Sequence, residues 1–471
     1  MEAKIFFGSK EESRAVVDKR FSPYDGRVVS TASVCSAEDA REALKIAKEA
    51  AKEAKKSTLA KRCEWILDVA KRLKEQKEDM ARTITDEVGK PIAFSRIEVE
   101  RCIETLTLSA EFARTMHGET IATDATLSGK KTNAYFVREP VGVVVAITPF
   151  NFPLNLVAHK LAPALVAGNA VVLKPTPEAP LTAYKFAKLF IESEFANKDA
   201  LSVVYGDAEV GSALVSSDIP RVISFTGSVP VGKIITSQAG IKKVSLELGG
   251  NAATFIDADA DLDYAAERCA FGAFINSGQV CISLQRIYVH ADVYESFAQK
   301  LATQTKKLKV GSPYEDETFV GPLINEDAAN RAMNWVESAI KEGARAMTVP
   351  HKEGRIFHPA VMADVHDDMA IVCEEVFAPI VSLVKVESFD EAIKKMNDSP
   401  YGLQFSIFTN SLKNTQKAIE DFEAGGVVVN DIPTLRFDIQ PYGGVKLSGV
   451  GREGPKFALE EFTEIKSVVI C

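Results

Sequence analysis

The sequence predicts an α/β protein with a doubly wound parallel sheet, a second α/β unit and a small β extension. Three observations predict it. From Val141, five short apolar strands alternate with four helices. A second alternating series runs from about residue 250 to 450. Residues 118–138, rich in Thr and Gly, break an otherwise helical beginning.

The elements follow in order. After a short strand-like opening, residues 37–56 read as a surface helix with Ser36 as N-cap and Asp39 in the first turn. Two further charged, apolar-periodic segments, near 58–89 and 94–116, predict more helix. Residues 118–138 lack helix formers, and Ser128-Gly129-Lys130 separates two β-prone arms, so a hairpin or linker is expected. The sheet strands are predicted at Val141–Ile147, Ala170–Leu173, Leu201–Tyr205, Arg221–Phe225 and Lys243–Leu246. Helices near 154–167, 180–193, 208–216 and 230–239 join them. In the second unit strands are expected near 286–291, 380–385, 404–408 and 427–429. Helices near 260–274, 294–307, 325–341, 388–397 and 412–423 separate those strands.

Composition narrows the function. The 471 residues carry 56 basic and 65 acidic side chains, a net charge of −9, which argues against a nucleic-acid partner. Cys35, Cys63, Cys102, Cys269, Cys281, Cys373 and Cys471 are scattered, with no CxxC and no zinc-site spacing. They predict reduced thiols and neither a disulfide scaffold nor a metal centre. No run approaches the ~20 apolar residues of a membrane helix, and the start lacks a secretory h-region. A soluble cytoplasmic protein is expected.

Ligands of a doubly wound sheet bind outside the strands' carboxyl ends. The literal GxGxxG at Gly449–Gly454 does not fit a dinucleotide site, because no βαβ unit surrounds it. Phe225-Thr226-Gly227-Ser228-Val229-Pro230-Val231-Gly232 fits better, joining a strand to a helix start that favours an anion. It reads equally as a capped turn without a ligand. Lys174, expelled from its strand by Pro175, either meets a ribose or phosphate or is merely solvated.

Three segments carry candidate chemistry. In Thr148-Pro149-Phe150-Asn151-Phe152-Pro153 the Asn151 amide either donates to an oxyanion or forms a turn. In Glu247-Leu248-Gly249-Gly250-Asn251 the Glu247 carboxylate is either a general base raised by burial or an ion-paired strand end. In Ser277-Gly278-Gln279-Val280-Cys281 the thiol is either a reachable nucleophile or an inert buried cysteine.

Taken together, TPFNFP, FTGS, LELGG, SGQVC, EEVFAP and PYGGVKLSGVGREG resemble the aldehyde dehydrogenase superfamily in order and spacing, along nearly the whole chain. The wording FNFPLNLVAHKLAPA and NDIPTLRFD looks most like lactaldehyde and phosphonoacetaldehyde dehydrogenases. The resemblance implies Cys281 as nucleophile, Glu247 as general base and Asn151 as oxyanion donor. It implies a nicotinamide cofactor, NAD or NADP, held by Thr148, Phe150, Lys174, Gly227, Ser228, Gly232, Leu248, Glu375 and Phe377. Phe152, Leu156, His159, Val280, Ile282 and Tyr442 would surround a small aldehyde. Arg436 would meet an anionic tail or be braced by Asp431 or Asp438.

The resemblance further implies a Rossmann-like nucleotide domain of residues 1–117 and 141–249, a catalytic domain of 250–449 and an oligomerisation arm of 118–140 and 455–471. A homodimer or homotetramer follows. Glu247 favours hydrolysis over the CoA-acylating alternative; the other readings are a non-catalytic nucleotide-binding protein and a hydrolase without redox chemistry. Three residues depart from the pattern: Phe150 for a common tryptophan, Ala378 for glycine, and Pro177 where NAD-preferring members often carry glutamate. Pro177 removes a carboxylate that would repel a 2′-phosphate, so dual cofactor use is expected.

Overall fold

The computed structural model describes residues 1–471. Its first large sheet has eight strands, five of them the predicted parallel set. Across the sheet these run Lys243–Glu247, Val222–Thr226, Val143–Ile147, Ala170–Lys174 and Leu201–Val203. The chain thus winds outward both ways from the first strand. All five are parallel, which needs helices on both faces, and strands buried on both sides are accordingly near-continuous apolar runs. The helices Asn155–Val166, Pro180–Ile191, Ala208–Ser216 and Val229–Ala239 supply the cover.

The edges carry what the sequence pattern did not suggest. Residues 2–33 form five short strands rather than a brief opening. Ile5–Phe7 adds antiparallel beside Leu201–Val203. At the other edge Gly449–Val450 pairs antiparallel with Lys243–Glu247, Gly449 opposite Glu247. The GxGxxG is therefore an edge strand and turn. A Cβ at Gly449 would stand 2.2 Å from the Leu246 carbonyl, so only glycine permits the pairing.

The amino-terminal helices pack on this sheet. Ala37–Lys56 opens with a full capping box, Ser36 and Asp39 each satisfying the other's backbone N–H. The segment expected near 58–89 divides at Gln76 into Leu59–Glu75 and Lys77–Val88.

The second sheet has seven strands, six of them parallel. Two of the six parallel strands went unanticipated, Ala252–Ile256 and Ala360–Ala363. Both are alanine-rich, and alanine is a poor strand signal.

A third, three-stranded sheet joins Glu119–Thr120, Asn133–Pro140 and the tail Thr463–Ile470. Tail and arm pair along eight residues, Thr463 opposite Pro140 through Ile470 opposite Asn133. The helix Pro455–Glu461 does not lie in this arm. It packs on Ile92–Thr115 and Asn155–Val166, and Ala458, Leu459 and Phe462 join the first sheet's core. No helix is long and apolar enough to cross a membrane.

Candidate active site

The carboxyl ends of the parallel strands deliver Thr148, Lys174, Gly227-Ser228 and Glu247 to one edge. Ser228 precedes the helix Val229–Ala239, yet its exposed hydroxyl makes no capping bond. That leaves a hydroxyl and the helix's first N–H groups for an anion. A Cβ at Gly227 would stand 2.4 Å from the Phe225 ring, and one at Gly232 2.7 Å from Leu248, so this turn packs tightly. Lys174 is buried; desolvation pulls its pKa down, against the opposing charges of Glu178 and Asp207.

Cys281 stands on an unusual turn. Asn276, Ser277 and Gly278 all have positive φ, 51°, 57° and 71°. Left-handed conformations in non-glycine residues cost of order 1–3 kcal/mol each and persist only when braced. The braces are present. Ser277 Oγ donates to the Gly321 carbonyl at 2.9 Å and accepts from its N–H at 3.0 Å. Gln279 Oε1 accepts from the Ile324 N–H at 3.0 Å, and the Gln279 carbonyl accepts from Asn151 Nδ2 at 3.0 Å. Gly250 lets the LELGG segment pass close, since a Cβ there would lie 2.1 Å from the Cys281 carbonyl.

The Cys281 thiol is half-buried, with Sγ 3.0 Å from the Tyr442 hydroxyl. Burial pushes its pKa up to about 11, while the Tyr442 hydrogen bond and the Arg436 charge pull it back. The Arg436 guanidinium lies 3.6 Å from the centre of the Tyr442 ring. Donation from a polarised phenol favours the thiolate. Tyr442→Phe is therefore expected to move Cys281 alkylation by iodoacetamide to higher pH, by roughly one unit for a hydrogen bond to a charged group. Peptide-resolved mass spectrometry reads this; an unmoved profile denies Tyr442 the role.

Glu247 is buried, and its Oε1 finds no hydrogen-bond partner within the protein. Burial and then the Glu453 charge raise its pKa well above the carboxylate range, against Arg436, Lys160 and Arg452. Glu453 moves the other way: Lys160, His159 and Arg436 outweigh burial and hold it ionised. Lys160 Nζ meets Glu453 Oε1 at 3.0 Å, and Arg436 Nη2 meets Oε2 at 3.4 Å.

One cavity of about 560 Å³ joins these groups. Asn151, Glu247 and Cys281 line it, with Phe150, Gly227, Ser228, Leu248, Glu375 and Phe377 around them. Phe152, Leu156, Val280, Ile282, Arg436 and Tyr442 line it too. Thr148, Lys174, Gly232 and His159 are not among the lining residues. His159 is fully buried, and its Nε2 lies 3.0 Å from Asp438, so it supports the wall from behind. Glu375 accepts the Gly250 N–H at 2.9 Å; burial lifts its pKa to about 7, opposed by that bond and by Arg331. Phe150 and Phe377 meet edge to face at 5.9 Å.

The aldehyde dehydrogenase family profile matches residues 10–468. The chain belongs to the aldehyde dehydrogenase family. It is 43% identical over 469 residues to 3-sulfolactaldehyde dehydrogenase of Priestia megaterium, covering 99% of this chain and 97% of that one. It is 38% identical over 453 residues to lactaldehyde dehydrogenase of Methanococcus aeolicus, covering 95% of this chain and 96% of that one. Among solved structures, NADP-dependent glyceraldehyde-3-phosphate dehydrogenase of Bacillus halodurans complexed with NADP superposes with a TM-score of 0.97 at 32% identity, over 100% of this chain and 99% of that one.

This aldehyde dehydrogenase family member also carries cavity residues that its motifs did not announce. Lys90 pairs with Glu98, and both are buried. Glu98 also accepts the N–H groups of Leu154 and Asn155, at 2.9 and 3.1 Å, which anchors the helix start after the Asn151 turn. Arg101 makes a two-pronged pair with Asp438, 2.8 Å on each arm. Arg436 is itself 3.8 Å from Asp438, whereas Asp431 pairs with Arg268 instead. One signal was visible in the sequence: Lys160 sits in the apolar helix NLVAHKLAPALV, and a buried lysine demands a buried partner.

Proposed function

We propose that the protein oxidises a small hydroxyaldehyde to its carboxylic acid with NAD or NADP, through a thioester on Cys281. The observation that carries this reading is that Cys281, Glu247, Asn151 and Glu375 line the same cavity as the Gly227-Ser228 helix start. The cradle suits a dinucleotide: the tight glycine turn, an uncapped helix start and a carboxylate at Glu375 are the donor and acceptor types that pyrophosphate and ribose need.

The steps fall to the chain's own groups. The Cys281 thiolate adds to the carbonyl carbon, forming a C–S bond. Its oxyanion takes hydrogen bonds from the second N–H of Asn151 and the Cys281 backbone N–H; one such donor is worth about 3–4 kcal/mol. A nicotinamide held by this cradle would supply the hydride acceptor needed to take that carbon to the thioester level. Glu247, ionised, removes a proton from water; the hydroxide adds to the thioester, the C–S bond breaks and the acid leaves. A base for water favours hydrolysis over transfer to coenzyme A.

Charge in the pocket supports an aldehyde with an anionic tail. Lys90, Lys160, Arg101 and Arg436 face the carboxylates of Glu98, Asp438 and Glu453. Arg436 lines the cavity, and its Nε lacks a hydrogen-bond partner in the protein. Arg436→Gln is expected to cut the preference for anionic over neutral aldehydes about 10–100-fold, or roughly 1.4–2.7 kcal/mol. Arg436→Lys should restore part of it. An unchanged preference in Arg436→Gln rejects the anionic tail.

Dual cofactor use rests on Pro177. The Glu178 carboxylate turns back onto the Thr176 hydroxyl, so neither presents the glutamate of an NAD-selective site. A panel of sulfolactaldehyde, glyceraldehyde 3-phosphate, lactaldehyde and propanal, each with NAD and NADP, tests the whole reading. Turnover without coenzyme A is expected, with the two cofactors' kcat/KM within about 100-fold (roughly 2.7 kcal/mol). No turnover on any of them overturns the reading. The arm's exposed Ile465, Val469 and Ile470 support assembly as a homodimer or homotetramer, because open strand edges need cover.

A further inference from the structure

We propose that His351, Glu353 and His358 form a surface site for a zinc-class divalent metal ion, outside the reaction cavity.

The backbone brings the three residues together. Residues 351–358, HKEGRIFH, form a hairpin that turns at Gly354, where φ is +58°. Lys352 pairs with Phe357 and Glu353 with Ile356. The His358 N–H donates to the His351 carbonyl at 2.8 Å, so the two histidines oppose each other one step further along. Successive side chains alternate between faces. His351 and Glu353 therefore share a face, and His358 joins them from across. Phe357, on the other face, is fully buried and anchors the hairpin to the second sheet's core. The histidine face is left toward solvent.

The side chains agree with the backbone. One ligand atom from each residue can be chosen so that all three lie within 4.8 Å of one another. His351 Nε2 is 3.1 Å from Glu353 Oε1, and the imidazole centres are 5.2 Å apart. Metal–ligand distances of about 2.0–2.1 Å place tetrahedral ligands roughly 3.3–3.5 Å apart. His351 and Glu353 are exposed and free to rotate toward the half-buried His358. Two imidazoles with one carboxylate suit zinc and its neighbours rather than calcium or magnesium, which need more oxygens.

The hairpin is also tied to the catalytic turn. The Leu323 N–H donates to the Arg355 carbonyl at 2.8 Å, and Pro322 bridges Ile356. The flanking Gly321 and Ile324 are the backbone braces of Ser277 and Gln279. A bound ion would staple the outer layer of that brace.

Equilibrium dialysis of the untagged full chain against zinc chloride at pH 7.5, with elemental analysis, tests the site. One bound ion is expected. His351→Ala and His358→Ala should each weaken it at least tenfold, and Glu353→Gln by less. Cys281→Ser, Cys373→Ser and Cys471→Ser should retain it. Cobalt in its place should give visible bands without thiolate charge transfer. Absence of binding, or binding that survives both histidine variants, overturns the proposal.

Discussion

Cys281→Ala is expected to lower aldehyde oxidation by at least about 10⁴-fold, the scale seen when a covalent nucleophile is removed. The chain has seven cysteines, so the specificity of this loss is itself informative. Cys35, Cys63, Cys102 and Cys269 are buried, and Cys373 and Cys471 are exposed. None of these six lines the cavity. Cys373→Ala and Cys471→Ala should oxidise aldehyde at wild-type rates, and NAD or NADP should still bind to Cys281→Ala. Initial rates of reduced-nicotinamide absorbance, together with equilibrium binding of the cofactor, separate chemistry from folding. Substantial oxidation by Cys281→Ala would refute covalent catalysis at this thiol.

Glu247→Gln is expected to split the reaction in time. The first half needs no water, so one equivalent of reduced nicotinamide per active subunit should form in a burst. The thioester then waits. Steady turnover should fall by roughly 10²–10⁴-fold, the usual contribution of a general base. The sign of the pH dependence follows from the base having to be ionised. Burial and Glu453 lift the Glu247 pKa, so wild-type steady turnover should rise with pH through a value above the ordinary carboxylate range. The glutamine variant should lack that limb. Stopped-flow absorbance gives the burst and the steady phase in one trace; steady turnover equal to wild type removes Glu247 from the base role.

The parallel strands and their helices were legible because each carries its own period: an apolar run, a glycine stop, then a helical repeat. Ser36 and Asp39 announced their helix start for the same local reason. Ala252–Ile256 and Ala360–Ala363 were not legible, since alanine strands become strands only when neighbours pair with them. The site divides in the same way. Cys281, Glu247 and Asn151 lie beside glycines and prolines that shape the chain, and motif order singled them out. The pairs Lys90–Glu98, Arg101–Asp438 and Lys160–Glu453 depend on folding, and the last two join residues far apart in sequence. His159 shows the converse. Its position in the pattern suggested contact with substrate, and only its bond to Asp438 places it in the wall.

The helix Pro455–Glu461 has a consequence for handling the protein. It links Glu453, whose charge adds to burial in raising the Glu247 pKa, to the tail strand beginning at Thr463. A truncated or bulky carboxyl terminus acts on a seven-residue helix that begins two residues after Glu453. Tags placed on the amino terminus avoid that helix; tags on the carboxyl terminus should be judged by their effect on the pH profile, not by expression alone.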